Sequence, residues 1–138
     1  MTTYKINYVA ILVAAVAMYA LGAAWYITFQ AGWMEHSGVT EEAVVASGGG
    51  ADSFIISFVT YILGAYAMAL IFKAMNVTDA KTGALTGALI GSLIVGGNIF
   101  TNNSYEMKPM ELSIINAGFS TVGLTVVGAI LGAWKKKA

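Results

Sequence analysis

Four long stretches without a charged residue constrain this chain more than any other feature. They cover residues 6–29, 53–72, 82–100 and 112–134. A helix needs about 20 mostly apolar residues to cross the hydrocarbon core of a bilayer. Each stretch is too long for a membrane strand, and none alternates polar and apolar residues as barrel strands do. The sequence therefore predicts an all-α membrane protein in which four transmembrane helices pack as one bundle, a single domain over residues 1–138.

Composition narrows the range of partners. Only 10% of the residues are charged and 58% are hydrophobic, whereas soluble domains carry about 25% charged residues. The formal net charge of zero argues against nucleic acid, which needs a basic surface. The chain has no cysteine, which removes thiolate catalysis and thiolate metal sites. The partners that remain are membrane lipids, a second copy of the chain or another membrane protein.

The connections between the spans differ in charge. Lysines lie near the N-terminus, in the second connection and at positions 135–137, whereas the first and third connections are mainly acidic. The positive-inside rule then predicts that both termini are cytoplasmic and that the protein is integral to the cytoplasmic (inner) membrane. Aromatic side chains at span ends often anchor a helix at the membrane interface. We expect four such anchors: Trp25, Tyr26, Trp33 and Trp134.

Small residues predict how the spans pack, because close contact replaces the hydrophobic drive between helices in lipid. Gly83, Gly87 and Gly91 are spaced by four, a glycine zipper that favours a close right-handed crossing, either within a protomer or between protomers. Similar stripes of small residues occur on the other three spans. The stripe of the fourth span is Gly118, Thr121, Thr125, Gly128 and Gly132, and that of the second is Ser53, Ser57, Thr60, Gly64 and Ala67. Together these stripes predict a tight bundle.

Asp, Glu, Lys, Arg and His are absent from all four stretches. Such groups inside a membrane usually belong to proton relays and ion pathways, and membrane hydrolases need a base or a nucleophile pair. His36 beside Glu35 is too small a set for a metal site. The sequence therefore predicts no catalytic residue, no metal and no cofactor.

Uncharged polar residues gather towards the ends of the spans that lie away from the termini. Asn98 and Asn116 are expected at similar depth, so they could face each other. One interpretation is a small polar pocket, and the other is a set of hydrogen bonds that hold the helices together. The candidate pocket residues are Gln30, Tyr61, Asn98, Asn102, Asn116 and Ser120.

Two segments resemble a known family. The first is Leu-Gly-Ala-Ala-Trp-Tyr at 21–26, followed by Phe29 and by Trp-Met at 33–34. The second is Ile-Asn-Ala-Gly-Phe at 115–119, followed by Gly-Ala-Ile-Leu at 128–131 and by Trp134. In combination they resemble the small prokaryotic membrane proteins catalogued as domain of unknown function 1761. The resemblance implies four spans and brings no established activity.

The chain departs from the family pattern at two places. Gln30-Ala31 stands where many relatives have Gly-Lys, and Phe119-Ser120 stands where many have Tyr-His. Chemistry that depends on that lysine or histidine would not carry over. We therefore expect a non-catalytic membrane protein that acts by helix association, as a homo-oligomer or as an accessory subunit. The alternative is an oligomeric transporter or channel for a small neutral or lipophilic solute.

Overall fold

Helices make up most of the backbone in the computed structural model, which describes residues 4–137. The α-helices are α1 (Tyr8–Thr28), α2 (Gln30–Ser37), α3 (Glu41–Ala46), α4 (Ala51–Met75), α5 (Ala80–Leu89), α6 (Gly97–Tyr105) and α7 (Met110–Ala133). A π-helical segment, Ile90–Gly96, joins α5 to α6 without a break. The one β element of the described residues pairs β1 (Tyr4–Lys5) with β2 (Lys136–Lys137).

Four helical stretches are long and apolar enough to cross a membrane. They are Tyr8–Thr28, Ala51–Met75, Ala80–Tyr105 and Met110–Ala133, with mean hydropathies between 1.6 and 2.1. The third consists of α5, the π segment and α6, and we call it the third span. The prediction of an all-α bundle with four spans is confirmed.

Local sequence explains where these helices begin. Asn7 precedes α1, and its Oδ1 accepts a hydrogen bond from the Ala10 N–H at 3.1 Å. Asp79 does the same for α5, since its Oδ1 accepts from the Thr82 N–H at 2.8 Å. Each side chain satisfies one of the backbone donors that a helix N-terminus leaves free.

The connection after the first span contains two short helices. We expected one near Thr40, and α3 begins there, with Thr40 Oγ1 accepting from the Ala43 N–H. Between α3 and α4 the chain turns through Gly48, Gly49 and Gly50, whose φ angles are +81°, +74° and +78°. Three consecutive left-handed residues are accessible to glycine and costly for other residues.

Helix α7 is the centre of the bundle. It contacts α1, α4 and all three parts of the third span. The core contains Phe72 and Val127, and Ala10 and Ala14 of α1 are also fully buried. The second span is the most peripheral, with 17% of its apolar window buried against 39% for α7.

Glycines bring the third span into backbone contact with α7. A Cβ atom added to Gly83 would collide with the Gly128 carbonyl oxygen, and one added to Gly87 with the Leu124 carbonyl oxygen. A Cβ atom on Gly91 would collide with the Ser120 carbonyl oxygen. Of the two arrangements that the sequence left open for these glycines, the protomer itself contains the intramolecular one.

The small-residue stripe of the second span differs from expectation. Ser53, Thr60, Gly64 and Ala67 are exposed, and no atom lies within 4 Å of a Cβ built on Gly64. Instead, α4 packs through the neighbouring face that carries Phe72 and other buried residues. The prediction that this stripe packs inside the bundle is wrong, because the face of α4 that is buried is the adjacent one, with Ala65, Met68, Ala69 and Phe72.

Residues 4–5 and 136–137, the two ends of the described chain, lie at one end of the bundle, which we call the terminal end. The Tyr4 hydroxyl lies 2.8 Å from the Phe72 carbonyl oxygen and 3.1 Å from that of Val77. Tyr4 is buried there, and burial raises the pKa of its phenol. The opposite end, which carries α2, α3 and the connection before α7, we call the loop end.

Candidate functional site

Polar contacts between α1 and α7 lie near the loop end of both helices. The Tyr26 hydroxyl donates a hydrogen bond to Asn116 Oδ1 at 2.9 Å. One residue earlier on each helix, the Trp25 indole N–H donates to the Ile115 carbonyl oxygen at 3.0 Å. These two bonds fix the rotation of α1 against α7.

Aromatic rings surround these bonds and extend to α4. The Tyr26 and Phe119 ring centroids are 5.4 Å apart, and the Phe119 and Tyr61 centroids are 6.2 Å apart. Tyr19 lies 6.4 Å from Tyr61 and 5.7 Å from Phe58. Edge-on and tilted pairs at these separations are favourable. We call these five residues the aromatic cluster.

Two glycines make room for the large rings. A Cβ atom on Gly118 would lie 2.8 Å from Trp25 Cζ2, and one on Gly22 would lie 3.2 Å from Phe119 Cζ. Gly118 therefore faces α1, whereas Gly128 and Gly132 face the start of α5. The small residues predicted on the fourth span therefore contact two different helices, α1 and α5.

Ser120 joins α7 to the π segment. It is 5% exposed. Its Oγ lies 2.8 Å from the Gly91 carbonyl oxygen and 2.9 Å from the Ala117 carbonyl oxygen, so its single O–H is shared between them. π-Helical turns are rare and often occur at functional sites. Here the turn lies directly against a hydroxyl of the central helix.

The other predicted pocket residues do not converge. Gln30, Asn98 and Asn102 are exposed. The hydrogen bond of Gln30 is made within its own helix, with its Nε2 3.8 Å from Met34 Sδ. Asn116 Oδ1 accepts its hydrogen bond from Tyr26, and not from Asn98, which the sequence suggested could face it. Tyr61 is half-buried in the aromatic cluster rather than beside these amides.

Two of the expected interface anchors have their polar atoms inside the protein. The hydrogen bonds of Trp25 and Tyr26 go to α7, because both side chains are half-buried between the helices. Trp33 is half-buried too, with its ring 6.1 Å from that of Tyr26. Trp134 is 45% exposed at the terminal end, and its carbonyl oxygen accepts from Asn7 Nδ2 at 3.3 Å.

Sequence reasoning missed two polar contacts at the loop end. Asn103 Nδ2 donates to Ser113 Oγ at 3.0 Å, which ties the end of α6 to the start of α7. Lys108 Nζ donates to the Ser37 carbonyl oxygen at 3.0 Å. The only signal for them was that polar residues flank the turn at Pro109.

The buried polar groups of the site have their partners within the protein. Within residues 4–137, no group of three His, Cys, Asp or Glu side chains is placed to hold a metal ion. No buried side-chain nitrogen or oxygen of this part of the chain lacks a hydrogen-bond partner. The buried polar groups are therefore satisfied by the protein itself, which is typical of contacts that hold helices together.

A family model described as "Protein of unknown function (DUF1761)" matches residues 9–132. The chain belongs to this family. The match confirms the resemblance found in the two sequence segments and spans all four apolar helices. No curated protein and no solved structure matches the chain.

Proposed function

We propose that this DUF1761 member acts without catalysis, by associating with other helices in the membrane, either as a homo-oligomer or as an accessory subunit of a larger complex. The observation that carries the proposal is the exposed side chain of Asn98 on the third span. The other exposed side chains along the middle of this span are apolar, among them Leu93 and Ile94.

The depth of Asn98 makes its exposure costly in a lone protomer. The third span has 26 residues, so it is about 39 Å long, whereas the hydrocarbon core is about 30 Å thick. Asn98 is seven residues before the end at Tyr105, which puts it roughly 6 Å inside the hydrocarbon if the span is centred. Apolar side chains tolerate lipid there, but an amide needs a hydrogen-bonding partner.

A partner helix would satisfy this amide. Asn carries both donors and an acceptor, so Asn98 of a second copy is a suitable partner. The exposed small-residue face of α4, with open space at Gly64, supports a further close contact, because small residues let helices approach in lipid. Gly83, Gly87 and Gly91 of the third span, by contrast, already contact α7 inside the protomer.

The test compares Asn98→Leu with Asn102→Leu, which removes an amide from the end of the same helix where water is available. Association is measured by energy transfer between labelled copies in liposomes at several protein-to-lipid ratios. Hydrogen bonds between membrane helices contribute about 0.6 to 2 kcal/mol. We therefore expect Asn98→Leu to weaken association about 3- to 30-fold and Asn102→Leu to leave it unchanged.

Native mass spectrometry of protein extracted with its own lipids separates the two forms of the proposal. One homo-oligomeric mass would support self-association, and masses that contain other polypeptides would support an accessory subunit. The proposal would be refuted if native mass spectrometry showed only a monomer and the two variants gave equal energy transfer.

Charge distribution supports an orientation for this assembly. Of the seven lysines, only Lys108 lies at the loop end, whereas Asp79 is the single Asp or Glu outside that end. By the positive-inside rule, we infer that the terminal end is cytoplasmic. A membrane-impermeant maleimide on intact cells should label Glu42→Cys and not Lys81→Cys, and the reverse pattern would refute this orientation.

The transport alternative stays a prediction. Gln30, Asn98 and Asn116, which would line the path of a solute, do not converge within the protomer. Solute flux into proteoliposomes tests it directly.

A further inference from the structure

The terminal end holds lysines from both ends of the chain close together. β1 and β2 are antiparallel, with Lys5 opposite Lys136. The buried Tyr4 and the hydrogen bond from Asn7 to Trp134 attach this strand pair to the bundle. The lysines are thus brought together by folded backbone and not merely by a flexible tail.

Opposed lysines repel each other. Side chains directly opposite in an antiparallel pair have Cβ atoms about 5 Å apart, and like charges there are destabilising. Lys135 adds a third positive charge next to the pair. Asp79 is the one carboxylate that the described residues place at this end, and its pKa is lowered by hydrogen bonds from Thr82 and, to a smaller extent, by the positive charge of Lys135. A single carboxylate leaves a net positive charge among the three lysines. An anion bound between the lysines would offset the repulsion.

A groove lies beside the strand pair. Its polar rim is formed by Lys5, Asn7 and Lys135, and its apolar floor by Ala10, Phe72 and Leu131. The enclosed space is about 20 Å³, which is room for little more than one water-sized group. A larger anion would therefore lie at the rim. The N-terminus of α1, which begins at Tyr8, adds a partial positive charge there.

We propose that this groove binds the phosphate of an anionic phospholipid headgroup. Lys5 and Lys135, which line the groove, carry one positive charge each, and the apolar floor supplies a surface for the start of an acyl chain. Trp134 also lines the groove, and its 45% exposed ring suits the headgroup level of a bilayer. The lipid phosphate lies at this same level, so the phosphate would lie beside the lysines and the acyl chain beside the apolar floor.

The decisive comparison uses two double variants that each remove two charges from the terminal end. The rim variant, Lys5→Gln with Lys135→Gln, removes both positive charges of the rim. The control variant, Lys73→Gln with Lys81→Gln, removes two lysines that do not line the groove. Native mass spectrometry measures the lipid retained by detergent-solubilised protein after phosphatidylglycerol or phosphatidylcholine is added at equal concentration. Two lysines near an anionic headgroup correspond to about a 30-fold change in affinity.

We expect wild-type protein to retain phosphatidylglycerol in preference to phosphatidylcholine. The rim variant should lose about 30-fold in affinity, the other double variant should bind as wild type, and Lys5→Arg with Lys135→Arg should retain binding. If the rim variant does not fold, Lys135→Gln alone should lose about 5-fold. Equal losses in both double variants, or no preference between the lipids, would overturn the proposal. Displacement of phosphatidylglycerol by millimolar inorganic phosphate would assign the groove to free phosphate instead and overturn the lipid assignment.

Discussion

Replacing Gly87 with alanine should force the third span away from α7. The added Cβ atom would meet the Leu124 carbonyl group, with its carbon at 2.7 Å, whereas ordinary contact begins at 3.4 Å. Clearing this carbon alone needs a shift of roughly 0.7 Å, and the carbonyl oxygen lies closer still, so the helices would have to separate by more than that at this point. Both sides of the contact are helical backbone, so no flexible side chain can move aside to absorb the change.

The loss of stability in Gly87→Ala is best measured against Gly97→Ala in the same span, because no atom lies within 4 Å of a Cβ built on Gly97. Alanine is favoured over glycine in a helix by about 1 kcal/mol at both positions, so this gain cancels in the comparison. Overpacking costs about 1–3 kcal/mol. Since the obstacle at Gly87 is backbone, we expect Gly87→Ala to be about 3 kcal/mol less stable than Gly97→Ala.

The assay is unfolding in mixed micelles of rising dodecyl sulfate content, followed by far-ultraviolet circular dichroism. Both variants are measured at the same protein-to-detergent ratio, so that association contributes equally. If Gly87→Ala proved as stable as Gly97→Ala, the third span could not lie so close to α7, and the account of the packing would be refuted.

Two further predictions concern single hydrogen bonds. Tyr26→Phe removes the donor to Asn116 and should lower the free energy of unfolding by about 0.6–1.7 kcal/mol in the same assay. The control, Tyr105→Phe, changes an 85% exposed position and should leave the free energy of unfolding unchanged. Equal stability of the two variants would argue against the hydrogen bond. The hydrogen bond from the Thr82 N–H lowers the pKa of Asp79 below its ordinary 3.8, so the stabilisation by the charged carboxylate is complete at neutral pH and is lost as the pH falls through that lowered pKa. Asp79→Asn should lose less stability than wild type between pH 5 and 2 in parallel acid titrations, and identical acid profiles would contradict this.

The spans could be predicted because bilayer thickness fixes how long an apolar stretch must be. The first span was expected over 6–29 and runs from Tyr8 to Thr28, and the second was expected over 53–72 and runs from Ala51 to Met75. The second span extends further at both ends because Asp52 and Lys73 were excluded by their charge, although charged residues are tolerated at the ends of a membrane helix.

The polar site was harder to predict, because depth in the membrane does not determine the direction in which a side chain points. Asn98 and Asn116 were matched by depth alone, yet Asn116 bonds to Tyr26 and Asn98 is exposed. The sequence marked the small-residue face of α4, but the position of α7 at the centre of the bundle could not be read from it. That position decides which face of each neighbouring helix is buried.

The π-helical segment has a consequence for insertions and deletions in the third span. Glycines that meet α7 recur every four residues from Gly83 to Gly91, and the next buried glycine, Gly96, follows after five, with a Cβ position 3.3 Å from the Ala117 Cβ. In a continuous α-helix a step of five residues would rotate Gly96 about 140° around the axis. The wider π turn accommodates the additional residue. A deletion of one residue between positions 92 and 95 would restore an α-helical turn and keep the later glycine directed towards α7, so this segment can lose a residue inside the membrane while both halves of the span keep the same face towards the central helix.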